Sequence, residues 1–224
     1  MITKSFEEFI DTSGDVPVRG YLHCGDGSRA DCLILTHGAG ANCQSLLLTA
    51  IADAFCSAGL HVLRCDLPFR QARPHGPPPR GNAERDQAGL RSAVASMKRR
   101  SSGNVLLGGH SYGGRQASML AASEPGTVEA LLLLSYPLHP PQRPDQMRTK
   151  HLPNLETPSL FVHGASDGFG TIEEIEAAMK LIPARTDLLP VAGVGHELIT
   201  KRNGVELCKE VVERFLSFAA QVTG

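Results

Sequence analysis

The fold is indicated most clearly by the stretch Gly108-Gly109-His110-Ser111-Tyr112-Gly113-Gly114-Arg115. It follows the apolar run Asn104–Leu107, which has the length of a strand. It leads into Gly114–Ala122, where apolar residues recur at helical spacing. A serine with glycines two residues before and two residues after it is typical of a sharp turn from a strand into a helix. We expect this turn to expose the Ser111 hydroxyl at the edge of a sheet.

The rest of the chain continues this alternation of short apolar runs and longer amphipathic runs. Strands are predicted at Phe6–Ile10, Val16–Cys24, Asp31–Thr36, Leu60–Cys65, Asn104–Leu107, Glu129–Ser135, Pro158–His163 and Thr186–Val191. Helices are predicted at Ser45–Ala58, Asn82–Met97, Gly114–Ala122, Ile172–Leu181 and Gly204–Phe218. This order favours an α/β fold, a mainly parallel sheet with helices on both faces. Such sheets bind ligands beyond the carboxyl ends of their strands, so the residues that follow each strand are the candidates for chemistry.

Length and composition indicate a single domain over residues 1–224. Apolar residues make up 42% of the chain and charged residues 20%, which argues against disorder. The 22 basic and 23 acidic residues nearly balance, which excludes a globally basic nucleic-acid binder. Tryptophan is absent and aromatic residues are only 5%, too few for a platform that stacks bases. We therefore expect a small-molecule substrate and no nucleic acid, and the oligomeric state stays open.

The cysteines and the N-terminal residues indicate a cytoplasmic protein. Met1–Glu8 is polar and acidic, unlike a signal peptide, and no apolar run approaches the roughly 20 residues of a membrane span. The six cysteines include no CxxC pair, so we expect free thiols. Cys43 is interpreted as a packing residue rather than a redox-sensitive thiol. No metal or organic cofactor is expected, because the sequence has no cluster of ligands and no phosphate-binding loop.

A serine nucleophile needs a base and a carboxylate that orients the base. His196 lies in the loop 193–198 among small residues, which would let its imidazole reach a site. His163 is the main alternative base, but it ends a buried strand and suits a structural role better. Asp167 follows that strand and is the candidate acid, although an aspartate beside a glycine is often a turn former. Asp187 begins a strand at the opposite edge of the sheet, so we expect it to lie too far away.

The segment His37-Gly38-Ala39-Gly40 follows a predicted strand and is the candidate oxyanion loop. Its glycines allow a backbone N–H group to turn toward the site, unless the segment is a simple strand-to-helix turn. The N–H groups of Ala39 and Tyr112 are the expected oxyanion donors. Gly38 and His110 are expected to line the substrate site.

A proline-rich and arginine-rich segment, 66–81, should lie over the rim of the site. Four arginines concentrate positive charge in and beside it: Arg70, Arg73, Arg80 and Arg85. Through Arg70 and Arg73 it could select an anionic substrate, such as a carboxylate or phosphate ester. The composition favours the plainer alternative, a solvated loop with polyproline character.

Taken together, these motifs resemble the α/β-hydrolase superfamily over most of the chain. The order Ser111, Asp167, His196 is the nucleophile, acid and base order of that superfamily. The sequence looks closest to small, nearly lidless members near the dienelactone hydrolases. It is also similar to a predicted-hydrolase branch that includes a subunit of the nonspecific-lethal chromatin complex. The resemblance implies a mostly parallel sheet of about eight strands, a minimal lid or none, and a serine-hydrolase site at these three residues.

Two departures from these relatives affect the expected function. Dienelactone hydrolases carry a cysteine nucleophile, whereas position 111 is a serine, and a structural role is prominent in the chromatin-linked relatives. We predict a serine hydrolase that cleaves a carboxylic ester or thioester through an acyl-enzyme. An interaction module without turnover is the alternative, although all three triad positions are filled. A peptidase or acyltransferase would use the same residues, and nothing in the sequence separates these activities from that of an esterase.

Overall fold

The computed structural model describes residues 6–26 and 28–223, with side chains to residue 221. Its strands are β1 (Phe6–Asp11), β2 (Val18–His23), β3 (Cys32–Thr36), β4 (His61–Cys65), β5 (Val105–His110), β6 (Leu131–Leu134), β7 (Ser159–Gly164) and β8 (Thr186–Val191). Its α-helices are α1 (Leu46–Ser57), α2 (Pro68–Ala72), α3 (Ala83–Lys98), α4 (Tyr112–Ser123), α5 (Ile172–Met179) and α6 (Gly204–Thr223). A 3-10 turn spans Leu152–Asn154.

The eight strands form one sheet in the order β1-β2-β4-β3-β5-β6-β7-β8. Only the pairings of β1 with β2 and of β2 with β4 are antiparallel, so the predicted mostly parallel sheet is confirmed. Near the carboxyl ends of the parallel strands, Thr36 pairs with both Cys65 and Gly109, and His110 pairs with Leu134. This register brings the loops that follow β3, β4, β5 and β6 to one edge of the sheet.

Helices cover both faces of the sheet, because its central strands are apolar on both sides. All residues of β3, β5, β6 and β7 are buried. Side chains of α3, α4 and α5 pack on one face, for example Leu90, Leu120 and Ile175. Side chains of α1 and α6 pack on the other, where the rings of Phe55 and Phe215 meet edge to face at 5.9 Å. The two-sided burial explains why the strands read as continuous apolar runs.

Two short elements, α2 and the 3-10 turn, were not predicted from the sequence. The segment 66–81 begins with a five-residue helix, α2, in which Pro68 occupies the first turn, where proline is well tolerated. Such a helix is too short to show a periodic pattern, so the sequence predicted a loop for these residues. Between β6 and β7 the chain forms turns and the 3-10 turn at Leu152–Asn154, and no lid domain covers the sheet edge at this point.

The cysteines and helices give two further findings. All six cysteines lie in the described part of the chain and none is paired with another, as predicted. Cys43 is buried, and burial raises the pKa of its thiol far above the ordinary value. This agrees with a packing role, since the reactive form of cysteine is the thiolate. Within residues 6–26 and 28–223, no helix is long and apolar enough to cross a membrane.

The central strand β6 should contribute strongly to stability. Leu133→Ala removes a fully buried side chain and leaves a cavity, so we expect the free energy of unfolding to fall by about 2–5 kcal/mol. Leu46→Ala makes the same change at a residue that is 68% exposed and should alter it by less than about 0.5 kcal/mol. Urea unfolding followed by circular dichroism measures both. Equal losses in the two variants would contradict this account of the core.

Candidate active site

Ser111 sits on a strained backbone between β5 and α4. Its φ of 51° and ψ of −118° lie outside the usual regions for a residue with a side chain. Such a conformation costs on the order of 1–3 kcal/mol and persists only where neighbours hold it. The Ser111 N–H donates to the Leu134 carbonyl at 2.8 Å, and the Ser111 carbonyl accepts from the Arg115 N–H at 3.0 Å. These two bonds fix the sharp turn that the sequence predicted.

The glycines around Ser111 are required by close approach of the backbone. A β-carbon at Gly113 would lie 2.6 Å from the His37 carbonyl oxygen. A β-carbon at Gly109 would lie 2.7 Å from the Gly113 carbonyl carbon. No side chain fits at either distance, so the helix that follows Ser111 can lie this close to β3 and β5 only with glycine at both positions.

His196 bridges Ser111 and Asp167. Its Nε2 lies 2.8 Å from Ser111 Oγ, and its Nδ1 lies 2.8 Å from Asp167 Oδ2. Asp167 follows β7, and His196 lies in the loop between β8 and α6. The three residues are far apart in the sequence, but the parallel sheet places their loops at the same edge. The structure therefore brings together the serine, histidine and aspartate that the sequence singled out.

The hydrogen bonds determine which nitrogen of His196 carries the proton. Burial alone would raise the pKa of Asp167, but its hydrogen bonds with His196 and Phe169 N–H, and the nearby histidines, lower the pKa overall. Asp167 is therefore a carboxylate, which can only accept, so His196 Nδ1 donates to it. Nε2 is then free to accept a proton from the Ser111 hydroxyl, which is the arrangement that general-base catalysis needs.

Two rings and a backbone bond hold His196 in place. The Phe169 ring lies 4.2 Å from the imidazole, measured between centroids, and the His110 ring lies 5.1 Å away. His110 Nε2 donates to the His196 carbonyl at 2.9 Å. His110 thus reaches the wall of the site, while Phe169, which no sequence pattern marked, packs on the imidazole itself.

His163, the alternative base, has a different position. It is fully buried, and its Nε2 donates to the Gly170 carbonyl at 2.9 Å. The same nitrogen lies 3.6 Å from Asp167 Oδ2. Burial lowers the pKa of His163, so its ring is neutral at pH 7. Its contacts are with the loop that carries Asp167, which fits the structural role expected from the sequence.

The segment after β3 lies against Ser111. A β-carbon at Gly38 would lie 3.4 Å from Ser111 Cβ and 3.1 Å from His110 Nδ1. Ala39 is therefore next to a residue that packs on the serine. Tyr112 is the first residue of α4, so its N–H has no acceptor within that helix. The two amides expected to bind an oxyanion thus belong to segments that flank Ser111.

Arg70 differs from expectation. It was expected at the rim of the site, in a solvated loop or as an anion-binding group, but it is only 5% exposed. Its Nε donates to the Ala41 carbonyl at 2.7 Å, and its Nη2 donates to the Ala39 and Gly76 carbonyls, both at 2.9 Å. Nη1 donates to the Arg73 carbonyl at 3.1 Å. The guanidinium is committed to carbonyls, so Arg70 holds the segment with Ala39 in place. Arg73 itself is exposed.

Asp86 is a buried carboxylate that the sequence analysis missed. Its Oδ2 accepts from the Tyr112 hydroxyl at 2.8 Å. Its Oδ1 accepts from the Phe69 N–H at 3.1 Å and from the Asn82 side-chain amide at 2.9 Å. Asp86 therefore joins α2, which carries Arg70, to the residue after Ser111. An acidic residue in line with the apolar positions of α3, such as Leu90, was the signal that could have revealed it.

Asp187 lies near the start of the edge strand β8, whereas His196 follows the end of that strand. Its carboxylate pairs with Arg214 of α6 at 2.6 Å. It takes no part in the contacts of His196.

The family of this chain follows from its match to a family model. Residues 29–223 match the model described as an alpha/beta hydrolase domain. The chain belongs to the α/β-hydrolase family. The sheet order and the strand-to-helix turn at Ser111 agree with this membership.

Several solved structures share the fold of this chain. A dienelactone hydrolase from Anabaena variabilis is 21% identical, with a TM-score of 0.73 over 96% of this chain and 99% of that one. An α/β serine hydrolase homologue from Coxiella burnetii is 17% identical, with a TM-score of 0.76 over 96% and 99% of the two chains. A serine hydrolase without a lid from Xanthomonas campestris is 15% identical, with a TM-score of 0.71 over 96% and 97%. At these identities the likeness shows the fold.

Arg70 should matter for stability and Arg73 should not. Arg70→Gln leaves half-buried carbonyls, including those of Ala39 and Ala41, without their donor, which should lower the free energy of unfolding by about 1–3 kcal/mol. Arg73→Gln removes the same charge from an exposed position of the same segment and should have little effect. Thermal or urea unfolding of the two variants compares them. A null effect of Arg70→Gln would contradict the role of this side chain in holding the loop.

Proposed function

We propose that this protein is a serine hydrolase that cleaves a carboxylic ester or thioester through Ser111, His196 and Asp167. The observation that carries the proposal is the continuous pair of 2.8 Å contacts from Ser111 Oγ through His196 to Asp167. Membership of the α/β-hydrolase family supports a hydrolase in general. The choice of an ester or thioester is the finer part of the proposal.

The reaction begins when Ser111 Oγ attacks the acyl carbon. His196 Nε2 takes the hydroxyl proton as the oxygen–carbon bond forms, and the carbonyl oxygen becomes an oxyanion. Asp167 keeps the imidazole oriented and stabilises its positive charge. His196 then gives the proton to the leaving oxygen or sulfur, the bond to the leaving group breaks, and an acyl-enzyme remains on Ser111.

The N–H groups of Ala39 and Tyr112 are the proposed donors to the oxyanion. Their positions depend on buried neighbours, because Arg70 holds the Ala39 carbonyl and Asp86 holds the Tyr112 hydroxyl. Donors fixed before the reaction need no rearrangement when the negative charge develops, and this is where they contribute most to rate.

Water completes the cycle by the same route. His196 removes a proton from water, the hydroxide oxygen attacks the acyl carbon, and Ser111 Oγ leaves with the proton that His196 returns. The product is a carboxylic acid. A peptidase or an acyltransferase would share the first half of this sequence and would differ in the leaving group or in the acceptor.

The first test is the reactivity of Ser111. We expect a small fluorophosphonate to add one adduct to the wild-type protein, detected by intact-protein mass, because His196 activates the hydroxyl. Ser111→Ala should remove both the adduct and nearly all hydrolysis of p-nitrophenyl esters. The control Ser123→Ala, at the far end of the same helix, should keep both. A folded wild type without an adduct would overturn the assignment and favour an interaction module. An adduct that persists in Ser111→Ala would place the reactive nucleophile at another residue and would also overturn the assignment.

The second test concerns the carboxylate. Asp167→Asn should lower kcat by about 10³–10⁴-fold, because an amide no longer fixes the required tautomer of His196. Asp187→Asn makes the same chemical change at the edge strand and should leave kcat close to that of the wild type. Rates on p-nitrophenyl esters and on aminopeptidase substrates, measured side by side, give both the effect and the class of bond. Similar rates in the two variants would remove Asp167 from the mechanism.

A further inference from the structure

Basic side chains surround Tyr136, beside the turn that carries Ser111. Tyr136 lies just after β6 and is almost completely buried, and its hydroxyl donates to the Arg148 carbonyl at 2.9 Å. His151 Nε2 lies 3.5 Å from the same hydroxyl and 2.8 Å from Ser118 Oγ of α4. The Arg115 side chain, also on α4, is close enough to the Tyr136 hydroxyl to oppose the rise in pKa that burial gives this tyrosine. We call Arg115, Arg148 and His151 the Tyr136 cluster.

Arg115 brings an unsatisfied donor into the Tyr136 cluster. Its Nε is buried and has no hydrogen-bond partner among the described residues. A buried polar group without a partner normally costs stability, so its presence calls for a physical reason. An acceptor that comes from outside the protein chain would satisfy this donor.

The positive charge of the Tyr136 cluster is not balanced by the protein. Among the ion pairs of residues 6–26 and 28–223, none includes Arg115 or Arg148. The Arg148 side chain donates one hydrogen bond, from Nη1 to the Pro137 carbonyl at 3.1 Å. Burial and the charge of Arg115 lower the pKa of His151 to about 4, so His151 is neutral at pH 7. Two arginines therefore carry the charge.

The Tyr136 cluster adjoins the proposed nucleophile. The Arg115 N–H donates to the Ser111 carbonyl, so Arg115 lies one helical turn after Ser111. Side chains on a helix lean toward its N-terminus, which here is the end that carries Ser111. The charge of Arg115 acts on both the Tyr112 and the Tyr136 phenols, where it opposes the rise in pKa that burial causes. The guanidinium is thus within electrostatic range of residues on both sides of the turn at Ser111.

We propose that Arg115 and Arg148 form a binding site for an anionic group, a carboxylate or a phosphate, beside Ser111. Two neighbouring guanidinium groups suit such oxyanions, because each can donate two parallel hydrogen bonds. The anion is either a part of the substrate or a free ion that binds next to it. The first form rests on the ester hydrolysis proposed above, whereas the second does not. Selection of an anion thus belongs to these arginines rather than to Arg70.

Matched esters test the form in which the substrate carries the anion. The anionic set consists of mono-p-nitrophenyl esters of dicarboxylic acids from glutaric to suberic acid. In the neutral set an isopropyl group replaces each free carboxylate, which preserves its shape. For at least one chain length, we expect wild-type kcat/KM to favour the anionic ester by about tenfold or more after correction for spontaneous hydrolysis.

Variants assign this preference to the arginines. Arg148→Gln should reduce the ratio of anionic to neutral kcat/KM by about tenfold, because a charged donor pair is lost. Arg115→Gln should do the same, and a melting curve shows whether that variant is folded. Arg143→Gln removes the same charge from an exposed position of the same loop and should keep the wild-type ratio.

Inorganic phosphate tests the site without any turnover. We expect phosphate to raise the melting temperature of the wild type and of Ser111→Ala relative to chloride at equal ionic strength. It should not raise the melting temperature of Arg148→Gln, and Arg143→Gln should behave as the wild type does.

The two arms separate the possible results. An ester preference that depends on Arg148 supports the substrate-borne form, and a phosphate effect that depends on Arg148 supports the free-ion form. A phosphate effect in a protein that cleaves none of the esters would keep the anion site and count against the proposed function. If Arg148→Gln matches Arg143→Gln in both arms, the anion site is overturned whatever the protein hydrolyses.

Discussion

The sharp turn at Ser111 is the constraint on which the rest of the site depends. A positive φ at a residue with a side chain is unfavourable, and it is kept here by bonds from the neighbouring strand and from the first turn of the helix. The same turn lifts the hydroxyl out of the sheet and leaves the N–H of Tyr112 without an acceptor in its helix. Gly109 and Gly113 make the turn possible, because any side chain there would overlap the backbone. The exposed hydroxyl and the unpaired N–H therefore both result from the strained turn, and packing of the neighbouring segments stabilises that strain.

Charge placement around this turn follows one physical rule, which is that a buried charge needs a partner. Asp167 has its partners in His196 and the Phe169 N–H, and Asp86 has them in three donors from separate segments. Arg70 is surrounded by carbonyls and is satisfied in the same way. Arg115 differs from these groups, because its buried Nε has no hydrogen-bond partner among the described residues. This difference is the reason to assign anion binding to Arg115, together with Arg148, and loop support to Arg70.

Much of the fold could be read from the sequence, because two-sided burial produces apolar runs and amphipathic helices produce a regular spacing. The eight strands and the five longer helices were all anticipated. The short helix α2 was not, since five residues are too few for a periodic signal and tertiary bonds such as Asp86 to Phe69 N–H support it. Asp86 is marked in the sequence only as an acidic residue on the apolar side of α3.

The sequence alone determined the order of strands and helices and the glycine pattern around Ser111, because both depend on neighbours along the chain. It also pointed to Asp167 and His196, since each follows a strand of a parallel sheet. Only the tertiary structure decided that these side chains meet at 2.8 Å, because that contact joins loops from three different strands. The structure likewise decided which arginines have hydrogen-bond acceptors within the protein. Arg70 and Arg115 are the same residue type in the sequence, and only the folded surroundings show which of them already has its acceptors.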